Sequence, residues 1–250
     1  MIDKMEISNQ ASATRTLLGE DLVSPIDVFS LVQTIDRLTL VLYPLGSKIS
    51  GACLKSKDSE VIAINSEMSI GRQRFSLAHE LYHHYYDTTG ESLVCANQIG
   101  MGTDIEKSAD LFASYLLMPQ NALYTCIRKV LAGDKAKVSL SDVIRLEQHF
   151  GVSRQAMLYR LRQENTLPAD TSDMERNVIL NAGRRGYDTA LYKPLPKDKQ
   201  MTTRGYYIKQ AESLLEKDLI SNGKYEELLL DANRDDIVYG DELEGGELLD

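Results

Sequence analysis

Apolar positions along this chain change their repeat from region to region, and the repeat assigns the elements. In SPIDVFSLVQTID (24–36), Val28, Leu31, Val32 and Ile35 share one helical face, with Ser24 as cap and Pro25 in the first turn. Three strand candidates follow: LTLVLY (38–43), GACLK (51–55) and VIAIN (61–65), the last bounded by charged and polar turn residues. Helical spacing returns in RFSLAHELYHHYY (74–86), where Leu77, Ala78, Leu81, Tyr82 and Tyr85 recur. A glycine-bearing stretch, TTGESLVCANQIGMGT, leads to a second strong helix, DIEKSADLFASYLLM (104–118), stopped by Pro119. Residues 139–167 read as helix, glycine turn, helix, with Leu146, Phe150, Val152, Ala156, Met157, Leu158 and Leu161 for packing and Ser153 as a cap. A connector, YKPLPKDKQ (192–200), precedes two more helical patterns at 202–219 and 222–232. Residues 1–24 carry few apolar anchors and predict a loosely attached arm, while the last residues predict a solvated acidic tail. Short strands followed by helices predict an α+β fold.

Composition narrows the function classes. The 250 residues are 43% hydrophobic and 26% charged, ordinary values for a globular protein with a real core. No apolar run is long enough for a membrane span, and MIDKMEISNQ lacks a signal core, so a cytoplasmic protein is expected. Cys53, Cys95 and Cys126 are odd in number, widely spaced and without a CxxC, which predicts buried reduced thiols. The net charge of −9 argues against general nucleic-acid binding. It is unevenly spread: residues 126–163 hold eight Lys/Arg against three Asp/Glu, and residues 210–250 hold three against thirteen.

The candidate chemistry lies in the histidine-rich helix. His79-Glu80-Leu81-Tyr82-His83 is an HExxH pattern. Residues four apart share a helical face, so both imidazoles can close on one metal ion while Glu80 reaches a metal-activated water as general base. A catalytic zinc takes three protein ligands and keeps one position open. Glu106, 23 residues after His83 on the next helix, is the third candidate, and Asp110 one turn later is placed to orient a ligand histidine. A second reading competes: Thr103 to Glu106 spells a capping box, in which the glutamate folds back onto the helix start. With HExxH upstream and Asp110 downstream, the ligand reading is the stronger. His84 points about 100° away from His83 and is expected to be a hydrogen-bonded neighbour, and Tyr82, Tyr85 and Tyr86 are expected to pack. His₂Glu donors suit zinc, with manganese or iron as other occupants.

The segments FSLAHELYHH and EKSADLFASYLLMP, with the helix pair after them, resemble the ImmA/IrrE-type zinc metallopeptidase family. The resemblance is strong over roughly residues 30–167, and the later helices look like the C-terminal section of longer members. It implies a gluzincin-like minimal catalytic domain of small sheet, active-site helix and glutamate helix. His79, His83 and Glu106 would bind zinc and Glu80 would be the base. It also implies an intracellular regulator that cuts or inactivates a helix-turn-helix repressor, often encoded beside it. This chain departs from the family at Tyr82, where a small residue is common, and at Asp87, where a histidine is common.

On this reading the chain divides into an arm (1–24), a zinc metallopeptidase domain (25–135), a helix-turn-helix-like segment (136–168), a helical extension (169–239) and an acidic tail (240–250). Arg154, Arg160 and Arg162 are candidate phosphate or partner contacts, against a plainer expectation that the helix pair completes the peptidase core. The leading expectation is a narrow endopeptidase acting on a repressor. Its rival keeps the zinc fold but acts by docking to a repressor, a toxin or DNA. VIAIN is the strand expected to take an extended substrate by strand addition.

Overall fold

In the computed structural model, which describes residues 2–87, 93–96, 98–131 and 137–240, the alternating runs form strands and the longer repeats form helices. The elements run α1 (Lys4–Leu17), α2 (Val28–Val32), β1 (Leu38–Tyr43), β2 (Ile49–Lys55), β3 (Glu60–Asn65), α3 (Ile70–Tyr86), β4 (Leu93–Ala96) and α4 (Asp104–Leu117). Then come α5 (Gln120–Val130), α6 (Leu140–Phe150), α7 (Arg154–Gln163), α8 (Ser172–Glu175), α9 (Val178–Gly183), β5 (Thr202–Gly205), α10 (Tyr206–Glu216), α11 (Asn222–Asp231) and α12 (Asp235–Tyr239). Residues 241–250, most of the expected acidic tail, lie outside the described residues.

The strands form one sheet in the order β4-β2-β3-β1-β5, with β1 parallel to β3 and the other pairs antiparallel. The fold is therefore α+β. VIAIN, as β3, is hydrogen-bonded on both sides and has no free edge, so it is not available for strand addition as the sequence suggested. The edges belong to β4 and β5, two strands that the sequence pattern did not mark. β5 comes from the stretch 202–205, read as the start of a helix: Gly205, at φ +87, instead ends a strand on β1.

The N-terminal arm is a correction. Asp3 caps α1 by accepting from the backbone of Met5 and Glu6, and Ile7, Ala11, Thr14 and Arg15 are buried in its contact with α4. Few apolar anchors suffice because Arg15 supplies a polar one. Its guanidinium donates to the carbonyls of Asp21, Leu116 and Ser24 at 2.6, 2.6 and 2.5 Å. Arg15→Met should cost about 3–5 kcal/mol in a denaturant melt, since three charge-assisted bonds are lost and three carbonyls are stranded. A cost below about 1 kcal/mol would return α1 to a loose arm. The next helix also starts later than expected: Asp27, not Ser24, accepts the capping bond from Phe29, and only Val28–Val32 are helical.

The helix pair α6–α7 belongs to the core. Gly151 turns the chain at φ +64, and Ser153 caps α7 by accepting from Ala156. Val143, Leu146, Phe150, Val152, Met157 and Leu161 lie in the same buried cluster as Phe75 and Leu81 of α3. The candidate phosphate contacts point inward. Arg154 is buried and bidentate to Glu147 at 2.7 Å, and Arg160 is buried, ion-paired with Glu164 and 4.5 Å above the Tyr115 ring. Arg162 alone is exposed, and it pairs with Glu175 at 2.7 Å. A nucleic-acid face built on these three arginines is not what the structure presents.

Candidate metal centre

Helix α3 packs on β2 and β3 with one face and on α4 with another, so its HExxH residues lie between the sheet and a second helix. His79 and His83, four residues apart, bring their Nε2 atoms to 3.2 Å. Glu106, third residue of α4, places one carboxylate oxygen 3.4 Å from His79 Nε2 and the other 3.4 Å from His83 Nε2. A tetrahedral zinc with bonds of about 2.0–2.1 Å separates neighbouring donors by roughly 3.3–3.4 Å. All three edges fit. Only half of the capping box forms: Thr103 Oγ1 accepts from the Glu106 backbone at 3.3 Å, but the Glu106 carboxylate turns to the histidines instead of folding back onto the helix start.

Each imidazole is oriented from behind. His79 Nδ1 lies 2.9 Å from Asp110 Oδ1, and His83 Nδ1 lies 3.2 Å from Asp87 Oδ2. Asp110 is fixed in turn by the backbone N–H of Gly100, 2.5 Å from its other oxygen. With Nδ1 donating to a carboxylate, each Nε2 is left with its lone pair towards the cluster. Burial opposes a charge on His79, but the carboxylates of Asp110 and Glu106 outweigh it and hold its pKa well above the ordinary value. Glu106, accepting from His79 and His83, is held well below the usual carboxylate range. This mutual stabilisation of opposite charge in a dry pocket is what a bound cation would replace.

Glu80 lies on the sheet side. It is fully buried, and among the described residues neither carboxylate oxygen has a well-formed hydrogen bond, with only the weak S–H donor of Cys95 beside it. Burial pushes its carboxyl up, while His79 and His83 pull back. Its room comes from Gly51 on β2: a Cβ there would stand 2.7 Å from Glu80 Oε1. Register places Cys95 of β4 directly across from Gly51. The Cys95 sulfur thus joins the nitrogen and oxygen donors of His79, His83 and Glu106 in a group whose atoms all lie within 4.8 Å. Burial pushes that thiol up to about 12.

Three residues of this site were not identified from sequence. Cys95 was read as a buried reduced thiol; buried it is, but at the cluster. Asp87, noted only as a departure from the family, is the His83 partner, and its i,i+4 spacing from His83 was the available signal. Gly51 had no signal beyond being a glycine within a strand pattern. His84 behaves as expected, bonding Glu60 at 2.5 Å away from the cluster. The tyrosines pack, with Tyr86 donating to Gln10 O of α1. From α7, Tyr159 sets its ring against Gly100, which carries Asp110, so the helix pair also walls the site.

An HExxH helix between a small mixed sheet and a glutamate-bearing helix defines a domain of the metallopeptidase type. Residues 39–162 match the family model described as the IrrE N-terminal-like domain, and through this segment the chain belongs to the ImmA/IrrE peptidase family. A search of curated proteins gives no match that adds a relative. Among the described residues no helix is long and apolar enough to cross a membrane.

Proposed function

We propose that this protein is a cytoplasmic, zinc-dependent endopeptidase of narrow specificity that cleaves a helix-turn-helix transcriptional repressor. The observation that carries the reading is the convergence of His79, His83 and Glu106 at tetrahedral spacing beside the buried carboxylate of Glu80, which among the described residues has only the weak Cys95 thiol as a donor. His79, His83 and Glu106 hold the metal, with manganese or iron as alternatives to zinc. When bound, zinc acidifies water and polarises a scissile carbonyl. Asp110 and Asp87 keep the two imidazoles in the ligating tautomer. Glu80 takes the proton of the attacking water and delivers it to the leaving amine, a task suited to a carboxylate whose burial raises its basicity. The edge strand β4, next to the cluster, is the site of substrate strand addition in place of β3. The test is incubation of the zinc-loaded chain with helix-turn-helix repressors of its source organism, starting from any encoded beside it as the family resemblance implies, with fragments identified by mass spectrometry. A single defined cut is expected, and an intact repressor under zinc loading counts against the proposal.

One observation favours the rival, a protein that docks rather than cuts. With Cys95 counted, the cluster holds four protein donors, the number of a closed structural site. Cys95→Ser separates the two. The endopeptidase keeps its metal, because His79, His83 and Glu106 remain as three ligands. A structural site would lose zinc affinity by orders of magnitude, read by competition with a chromophoric chelator.

A further inference from the structure

The first turn of α3 opens onto a cavity of about 1040 Å³ that is separate from the metal cluster. Arg72 lines it, about two helical turns (~10 Å) from His79 along the same helix. Only 7% of this residue is exposed, and among the described residues neither Nε nor Nη1 finds a hydrogen-bond partner. Its neighbours are the Phe75 ring, 5.5 Å from the guanidinium carbon, and the more distant charge of Asp110, which is already bonded to His79 and Gly100. Buried guanidinium groups are almost always paired, because an unpaired buried cation costs several kcal/mol. Burial lowers the Arg72 pKa to about 10, which still leaves it charged at neutral pH.

Several other polar groups around the cavity are already committed. Arg154 is spent on Glu147, Tyr192 donates to Glu147, Asn65 donates to the carbonyls of Gly46 and Ile49, and Glu67 accepts from Gly46. Arg72 is the cation left over. Two helix starts reinforce its sign. Ser69 precedes α3 and Ser153 precedes α7, both line the cavity, and a Cβ on Gly71 would stand 2.6 Å from Ser153 N, so the two N-termini abut. Several first-turn amides are already bonded, Ile70 N to Lys193 O, Arg72 N to Ser69 O and Ala156 N to Ser153 Oγ, so the helix starts contribute partial positive charge rather than a set of free donors. Met68 and Ile179 give the wall apolar area, and the volume matches an organic ligand rather than a bare ion. The Glu67 carboxylate on the rim disfavours a polyanion.

We propose that this cavity binds an organic ligand carrying one oxyanion group, with the oxyanion on Arg72 and the helix starts and a short apolar body against Met68 and Ile179. The ligand class is a carboxylate or a phosphomonoester. The site stands apart from the proposed peptidase chemistry, and it is the natural place for a small molecule to report on that chemistry through α3.

The test is thermal melting and calorimetry on the zinc-loaded full chain with phenylacetate, phenyl phosphate and, as the uncharged match, 2-phenylethanol. One or both anions should bind and raise the midpoint, and the stronger of the two names the ligand class, whereas the alcohol should do neither. Arg72→Met should weaken the anion about tenfold or more. It should also raise the ligand-free midpoint by roughly 4 °C, because it removes an unpaired buried charge. Arg72→Lys, which keeps charge without the planar fork, should weaken binding less. Three results would overturn the proposal: no anion binds the wild type; the response persists in Arg72→Met, which moves the anion to the metal; or Arg72→Met melts lower or fails to fold, which makes the arginine a structural brace.

Discussion

Glu80→Gln is expected to abolish repressor cleavage while leaving bound zinc unchanged. Glutamine fills the same space over Gly51 but cannot accept the proton of the attacking water. A positioned general base contributes typically about 10²–10⁴ in rate, and little of that should survive here, because the other carboxylate of the cluster, Glu106, is held against His79 and His83. Stability should not fall. Glu80 is buried with neither oxygen well bonded, so replacing its charge with a neutral amide removes a desolvation cost. Fragment yield by mass spectrometry, beside elemental analysis and a melt of the same sample, checks all three statements. Cleavage at the wild-type rate would remove Glu80 from the chemistry, and the docking protein would then be the better account.

Gly51→Ala should have the second largest effect, and it acts through shape. The added methyl would stand 2.7 Å from Glu80 Oε1, 3.0 Å from the carbonyl oxygen of Ala63 and 3.1 Å from Ile64 Cδ1. The carbonyl belongs to the paired neighbour strand β3 and cannot swing aside, so the carboxylate must move. Overpacking of this kind costs about 1–3 kcal/mol. A displacement of the base by about 1 Å costs on the order of 100-fold in rate. Gly223→Ala is the control: nothing lies within 4 Å of the added carbon on α11, and that variant should melt and cleave like the wild type. Equal behaviour of the two variants would mean that β2 does not shape the Glu80 pocket.

What the sequence made legible was the periodic part. The runs at 38–43 and 61–65 became β1 and β3 without change of bounds beyond one residue, and the helices at 74–86 and 104–118 lie where their repeats put them. HExxH was readable because its spacing is a property of one helix. Glu106 was readable only in part, since the capping pattern and the ligand pattern use the same residue; in the structure its backbone is capped by Thr103 while its carboxylate lies beside His79 and His83. Cys95 and Gly51 were illegible for a physical reason: they face each other through the register of β2 with β4, a tertiary fact with no local spacing. The misreading of 1–24 has a similar origin. Arg15 anchors α1 through carbonyls at Asp21, Ser24 and Leu116, and a hydrophobic pattern is blind to a polar anchor. The arginines of the helix pair misled in the other direction, because basic residues that look solvent-facing in sequence found a buried acid at Glu147 and a half-buried one at Glu164.

The central claim is that His79, His83 and Glu106 form one metal site, and zinc content per chain tests it most directly. Purified wild type should be measured beside His83→Ala and Glu106→Ala after equal reconstitution. About one zinc per wild-type chain, lost in both variants, is the predicted result. Full zinc in Glu106→Ala, or none in the wild type, would contradict it.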